Sequence, residues 1–378
     1  MKLKNILIFV LSLCTIPINA ANKVDQINYL SQTDSTYKII DSTVNKIWGI
    51  NNDTTASYQP IISEDKIFVA LDEGLVYCYD LNGKEKWVAE VFGNIQNNLL
   101  HYKDLILTST SSGDLYSINA NNGDIVQVLG IGESITTNLT LVDIKNDNAK
   151  SIGIVFGTES GTIFCYDIFS FELIWKEKLI PYLLVANPIF VEDKIFFKDS
   201  LSSVYSISSK SGSLIWKHEF TPNESENNNS QIFSDGKKIF MLSPSKELVA
   251  LDLLLGKVLW STKKLDFYSH IQFSKDKKYL IMLNKKGTLV FFSTLDGKEI
   301  KKIYLARQNI SSFYFDDSEA YSLLALSDGS ISLVDNKSEI HPLILLNRSK
   351  IKTLKILSQK HFLISTQNGK IFLFKFEQ

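Results

Sequence analysis

Short apolar runs separated by polar turns dominate the hydrophobic pattern of this chain. In one stretch, residues 194–197 (KIFF), 203–207 (SVYSI) and 214–216 (LIW) are such runs, and Asp, Ser, Lys and Gly are frequent between them. Runs of this length, bounded by turn residues, predict β-strands, and no convincing amphipathic helix occurs. Strict alternation is missing, which is typical of strands that are covered on both faces.

The runs belong to a repeat in which a tryptophan follows a turn glycine by four residues. The complete pairs are Gly83 with Trp87, Gly212 with Trp216, and Gly256 with Trp260. In another copy Phe171 stands where the glycine is expected, and Trp175 keeps the spacing. Equivalent residues recur about every 40–45 positions, which is the period of a propeller blade.

Eight repeats can be counted along the chain. They lie at 59–87, 97–127, 137–175, 186–216, 230–260, 270–301, 310–341 and 353–376. The eighth lacks a fourth strand, which residues 44–48 can supply because they end in Trp48 in the same form. The sequence therefore predicts an all-β fold over residues 44–378, an eight-bladed β-propeller of four-stranded antiparallel blades. The N-terminal strand closes this ring and covers its edges.

Residues 1–20 have the pattern of a secretory signal peptide. A basic start precedes an apolar run, residues 6–18, that is too short to span a membrane, and cleavage is expected before Ala21. Residues 21–43 are then a flexible segment, since they are largely polar and without pattern. Residues 11–14 (LSLC) resemble a bacterial lipobox, although Leu13 is larger than the residue expected there. Cys14 is therefore either a lipidation site or is removed with the signal.

Composition and charge narrow the function classes. The 378 residues include 40 Lys and Arg against 41 Asp and Glu, and a net charge of -1 argues against a nucleic-acid partner. Cys78 and Cys165 occupy equivalent places in two repeats, which indicates small core residues rather than a disulfide or a metal pair. No phosphate-binding loop, nucleophile elbow or zinc spacing occurs, so we predict no catalytic, cofactor-binding or metal-binding residue.

The repeat resembles that of the pyrroloquinoline-quinone (PQQ)-type propeller proteins, most closely in the Asp-x-x-x-Gly-x-x-x-Trp pattern of residues 252–260. Gln127 and Lys301 depart from it at the tryptophan place. The resemblance implies that the tryptophans dock each blade on its neighbour at the glycine turns. The residues concerned are Trp48, Trp87, Trp175, Trp216 and Trp260 with Gly83, Gly212 and Gly256.

Two functional classes use this repeat. The quinoprotein dehydrogenases hold PQQ and calcium, but they are generally longer and typically carry adjacent cysteines, which this chain lacks. The BamB family of outer-membrane assembly factors consists of exported, non-catalytic, eight-bladed scaffolds. That resemblance implies a periplasmic protein at the inner face of the outer membrane of a Gram-negative bacterium. Its partners would be the barrel-inserting subunit and nascent outer-membrane proteins, with no cofactor and with the membrane reached only through a lipid anchor.

Two alternatives stay open at this point, a PQQ-dependent dehydrogenase and a propeller that binds another envelope partner. The candidate partner-binding residues are Pro181, Tyr182, Leu183 and Leu184, in a connection after blade three that is unusually apolar for the surface. In the alternative interpretation, these residues bind no partner and form part of a longer first strand of blade four.

Overall fold

The computed structural model describes most of the repeat region and two short stretches before it. The described residues are 28–29, 37–51, 59–63, 65–71, 73–146, 149–178, 184, 186–220, 231–284, 286–305, 310–316, 321–326, 328–334, 339–346, 349–358 and 361–376. Within these ranges the regular structure consists of β-strands in eight antiparallel sheets, without helices. The predicted eight-bladed propeller is thereby confirmed.

Thirty-four strands form these sheets. The N-terminal strands are β1 (Asn28–Tyr29), β2 (Tyr37–Ile39) and β3 (Val44–Asn51). Blades one to four contain β4 (Ile61–Ser63), β5 (Lys66–Ala70), β6 (Leu75–Asp80), β7 (Glu85–Glu90); β8 (Leu100–Tyr102), β9 (Leu105–Ser109), β10 (Asp114–Asn119), β11 (Ile125–Gly130); β12 (Thr140–Asn146), β13 (Ala149–Gly157), β14 (Ile163–Asp167), β15 (Leu173–Glu177); β16 (Ile189–Val191), β17 (Lys194–Lys198), β18 (Val204–Ser208), β19 (Leu214–His218). Blades five to eight contain β20 (Phe233–Ser234), β21 (Lys238–Leu242), β22 (Leu248–Asp252), β23 (Val258–Ser261); β24 (Phe267–Phe273), β25 (Tyr279–Asn284), β26 (Thr288–Ser293), β27 (Glu299–Tyr304); β28 (Ile310–Asp316), β29 (Tyr321–Leu326), β30 (Ser330–Val334), β31 (Ile340–Leu346); β32 (Ile351–Ser358), β33 (His361–Thr366), β34 (Lys370–Phe376).

Each blade has its first strand at the inner end of the sheet and its fourth strand at the outer end. The first strands of successive blades contact one another, as β4 contacts β8 and β12 contacts β16. The turn between the second and third strands of blade one needs a glycine. A Cβ on Gly74, which has φ +84°, would lie 2.4 Å from the carbonyl oxygen of Val91.

The core consists of layers between neighbouring blades rather than of one central cluster. Along β6, Val76 and Cys78 pack in the layer shared with blade two, whereas Tyr77 and Tyr79 pack in the layer shared with blade eight. Both faces of the strand are therefore buried. This explains why the apolar runs of the sequence are nearly continuous instead of alternating.

The N-terminal part of the chain closes the ring and also adds two strands. In blade eight, β3 pairs with β34, with Trp48 opposite Leu373, so the predicted closing strand is present. The segment expected to be flexible, residues 21–43, contributes β1 to the outer edge of β3 and β2 to the outer edge of β31. The open backbone groups of these two sheet edges find hydrogen-bond partners there. Ile39 also packs against the core layer of blades seven and eight.

Candidate functional site

Each of the five tryptophans lies against a turn glycine of the next blade. A Cβ on Gly83 would lie 2.6 Å from Cγ of Trp48, and a Cβ on Gly256 would lie 2.5 Å from Cε3 of Trp216. Any side chain there would overlap the indole, and both glycines have positive φ, +80° and +67°. The pairs are Trp48 with Gly83, Trp87 with Gly123, Trp175 with Gly212, Trp216 with Gly256, and Trp260 with Gly297.

Four of these indoles also donate a hydrogen bond to the turn they cover. The bonds run from Nε1 of Trp48 to the oxygen of Leu81 (2.9 Å), of Trp87 to Ala120 (3.2 Å), of Trp175 to Ser209 (2.9 Å) and of Trp216 to Leu253 (3.1 Å). Such a bond contributes on the order of 1 kcal/mol, and its direction fixes one blade relative to the next.

The fifth pair differs in its hydrogen bonding. Nε1 of Trp260 is buried, and no hydrogen-bond partner for it is found among the described residues. Thr294 precedes Gly297 by three residues, as Ser209 precedes Gly212, so its carbonyl is the one expected to accept. Among the described residues, this indole therefore contacts its turn by packing, without the hydrogen bond of the other four.

Blades two and three meet through a different pair of residues. Gln127 stands at the tryptophan place, and its Nε2 donates to the oxygen of Ser170 at 3.2 Å. Phe171 stands at the glycine place with φ +54° and is 8% exposed, packed in the layer between these two blades. The sequence displays both departures, but only the structure shows that they face each other. A smaller residue in place of the indole leaves room for the phenyl ring.

A ladder of side-chain amides joins the inner ends of blades one to five, and sequence reasoning missed it. In each step, the backbone N–H of one amide residue donates to the side-chain oxygen of the next one. The bonds run from Gln59 to Asn98 (3.3 Å), Asn98 to Asn138 (3.0 Å), Asn138 to Asn187 (2.9 Å) and Asn187 to Gln231 (3.1 Å). The available signal was an amide residue just before the first strand of five successive repeats.

Aspartates that recur with the blades close the outer turns. Oδ1 of Asp80 accepts the N–H groups of Asn82 and Lys84, both at 2.9 Å, and Asp167 and Asp252 make similar bonds. Burial opposes the charged form of Asp80, but the bonds from the two N–H groups and the Lys86 ammonium outweigh it and lower its pKa. These carboxylates are committed to turns, and they do not form a catalytic group.

Blade four contains a buried polar cluster that the sequence does not reveal. Asp199 accepts N–H bonds from Leu201 and Ser203 and a 2.9 Å bond from the hydroxyl of Tyr205. Lys198, next to it, is fully buried, and burial lowers the pKa of this ammonium to about 8. Burial raises the pKa of Tyr205 to about 12, and the neighbouring Asp199 carboxylate, which disfavours the phenolate, adds to this effect.

The candidate partner-binding connection is described only at Leu184. This side chain is 1% exposed and packs against Gly157, whose Cβ would lie 2.2 Å from its Cδ1. It also forms an isolated β-bridge with Asp199. Leu184 is therefore a core residue between blades three and four, whereas the first strand of blade four begins only at Ile189. Pro181, Tyr182 and Leu183 lie outside the described residues, as does Cys14.

The two described cysteines and the possible metal ligands among the described residues were the other candidates for a site. Burial raises the pKa of the Cys78 and Cys165 thiols to about 11 and about 12, so neither is a ready nucleophile. In the part of the chain that the structure describes, no three His, Cys, Asp or Glu side chains come together as metal ligands. The same part contains no helix that is long and apolar enough to cross a membrane.

Two solved structures illustrate which known proteins have a fold similar to this ring. The crystal structure of BamB from Moraxella catarrhalis superposes with a TM-score of 0.68 at 16% identity, over 89% of this chain and 98% of that one. The C-terminal WD40 domain of Sif2 gives 0.66 at 12% identity, over 89% and 99%. At these identities the likeness concerns the fold alone.

Sequence comparison adds the family. BamB of Shewanella oneidensis is 19% identical over 261 residues, which cover 66% of this chain and 64% of that protein. The family model described as outer membrane protein assembly factor BamB matches residues 34–130 and 151–345, well over half of the chain. The Asp-x-x-x-Gly-x-x-x-Trp repeat, the eight blades and this match agree, and the chain therefore belongs to the BamB family of PQQ-like propeller proteins.

Proposed function

We propose that this protein is a non-catalytic scaffold of the machinery that assembles β-barrel proteins in the outer membrane. It would work in the periplasm at the inner face of that membrane and bind the barrel-inserting subunit, nascent barrel proteins or both. The observation that carries the proposal is the family match over residues 34–130 and 151–345. The relative that is 19% identical is named as an assembly factor of this kind.

The use of polar groups in the ring supports a scaffold. The aspartates that recur with the blades hold turns, the amides join inner blade ends, and the indole N–H groups join outer ones. These aspartates, amides and indoles thus hold the ring in shape. A ring of this kind presents a large outer surface on which a binding site for a partner can be placed.

The connection between blades three and four stays our candidate contact for the barrel-inserting subunit. Since Leu184 is buried, the contact would be made by Pro181, Tyr182 and Leu183, and Leu184 would anchor the connection to the core. An apolar connection at the surface is the kind of feature that marks protein-binding sites.

Co-isolation tests both the function and the contact. The full chain, tagged at its C-terminus, is expressed in a Gram-negative host, cross-linked in cells and purified from membranes, and its partners are identified by mass spectrometry. We expect the barrel-inserting subunit to be enriched. Recovery without any assembly subunit would overturn the proposed function.

A double variant tests the contact separately. Tyr182→Glu with Leu183→Glu should reduce the recovered subunit, while Leu184 is left unchanged because a buried charge there would disrupt the core. Phe92→Glu is the matched control, an apolar residue that is 79% exposed in the connection after blade one. Unchanged recovery with the double variant would move the contact elsewhere on the ring.

Processing of the N-terminus tests the location. The mass of the mature N-terminal peptide distinguishes an acylated Cys14 from cleavage before Ala21. Either result agrees with export, but only the first attaches the protein to the membrane by itself. A chain that keeps residues 1–20 and fractionates with the cytoplasm would contradict the periplasmic location.

A further inference from the structure

The outer strands of blades one to six each form the outer edge of their sheet within the described residues. Such an edge presents open N–H and C=O groups that attract other strands, and proteins usually protect it with charged side chains. Four of the six outer strands, β7, β15, β19 and β27, contain Lys or Glu. The fifth, β23, contains no charged residue but has only four residues, and a very short edge strand is itself a protection.

The sixth outer strand, β11 of blade two, lacks this protection. No charged residue occurs from 125 to 132, and the strand itself reads IVQVLG. Its apolar side chains are also accessible, since Ile125, Val126 and Val128 are 44%, 50% and 53% exposed. High β-propensity without charge or proline is the composition of segments that pair with other strands.

The chain itself shows how an outer edge is filled. β1 pairs antiparallel with β3, and β2 pairs antiparallel with β31, so blades eight and seven each gain a fifth strand. Both added strands are short extended stretches from outside the repeat. The outer edge of a blade in this ring therefore accepts a single extended segment.

We propose that β11 binds an extended, uncharged segment of a partner polypeptide as a fifth, antiparallel strand of blade two. Alternating apolar and polar residues fit this edge best. Val128 lies opposite Tyr116 in the layer with blade one, whereas Gln127 and Leu129 face blade three. Apolar residues on one side of the incoming strand would continue the first of these layers. This is the pattern of a strand from an unfolded β-barrel protein, and the identity of the partner rests on the proposed function.

A fluorescent peptide of about ten residues with alternating Val and Thr, a length typical of one barrel strand, is the probe. Its fluorescence anisotropy is measured against the purified mature protein. Val126→Lys and Val128→Lys place a charge on the edge and should weaken binding about tenfold or more. Ile215→Lys is the matched control, because Ile215 holds the place of Val126 on β19 and is 44% exposed. The control should bind the peptide as the wild type does, and a peptide with a central proline should not bind.

Three results would overturn the inference: no binding to the wild type, equal binding to both Lys variants, or equal loss of binding in the Ile215→Lys control. Sedimentation of the wild type and of Val128→Lys checks for pairing between two copies. A dimer that Val128→Lys abolishes would show that β11 pairs with itself, which also overturns it. Co-isolation from cells is scored separately. Failure of peptide binding with intact co-isolation rejects only this edge, whereas loss of all assembly subunits with intact peptide binding rejects the proposed function.

Discussion

The contact between blades two and three offers a direct test of how the ring is held together. Every other described turn of this type pairs an indole with a glycine, but here Gln127 faces Phe171. If the two residues compensate each other, changing either one alone should destabilise the ring. The double variant Gln127→Trp with Phe171→Gly should restore the usual pair and recover most of the stability lost in the single variants.

The magnitudes follow from the geometry of the other pairs. A Cβ at the glycine place would lie 2.5–2.8 Å from an indole carbon, so Gln127→Trp alone overlaps Phe171 and should cost about 1–3 kcal/mol. Phe171→Gly alone empties a site that is 8% exposed and should cost about 3–5 kcal/mol. Relief of the positive φ, +54°, offsets about 1 kcal/mol of this. In the double variant the new indole fills the empty site, and we expect a favourable coupling of about 1–3 kcal/mol.

Guanidinium unfolding of the wild type, both single variants and the double variant measures the coupling, with circular dichroism as the signal. The reverse exchange, Trp175→Gln with Gly212→Phe, is the control at an ordinary contact and should show coupling of the same sign. If the losses of the two single variants add up to the loss of the double variant within about 0.5 kcal/mol, the reasoning is refuted, because additive losses mean that the two residues act independently.

Three further results are expected. Trp175→Phe should lower the unfolding free energy by about 1 kcal/mol more than Trp260→Phe, since only the first removes a hydrogen bond; equal losses in thermal unfolding would contradict this. Burial lowers the pKa of Lys198 from 10.5 to about 8, so this ammonium loses its proton at a lower pH in the folded state than in the unfolded state. The free energy of unfolding should therefore rise by about 2 kcal/mol between pH 8 and pH 10. Lys198→Met should remove this rise relative to the wild type, and a rise of equal size in both would assign it to other groups. Ile39→Asp should detach β2 and speed hydrogen exchange in residues 343–346, whereas Lys38→Ala, at an exposed position of the same strand, should not.

The fold could be predicted because its signals are local. A turn glycine and a tryptophan four residues later report on one hairpin each, and their spacing counts the blades. The missing fourth strand of blade eight was likewise visible, since Trp48 repeats the end of the other fourth strands. Strand positions, blade number and ring closure follow from such features without knowledge of any contact.

The contacts between blades could not be predicted in the same way, because each one joins residues from different repeats. Gln127 and Phe171 read as two unrelated departures until the structure brings them together. Asn98 and Asn138 look like ordinary loop residues, and Lys198 looks like a surface residue at the end of a strand. A one-dimensional pattern shows that a residue departs from the repeat, but not which departure compensates it.

The distribution of these contacts explains why the N-terminal strands lie where they do. Indole contacts join blade eight to one and continue with one exception to blade six, and the amide ladder joins blades one to five. At blade seven the tryptophan place holds His341, opposite Leu333, and the next blade has no third turn to cover because its fourth strand is β3. An indole there would have nothing to dock on. β2 and β1 pair at blades seven and eight, so the segment that leads into the ring adds contacts at a junction that has an apolar core layer but no indole contact.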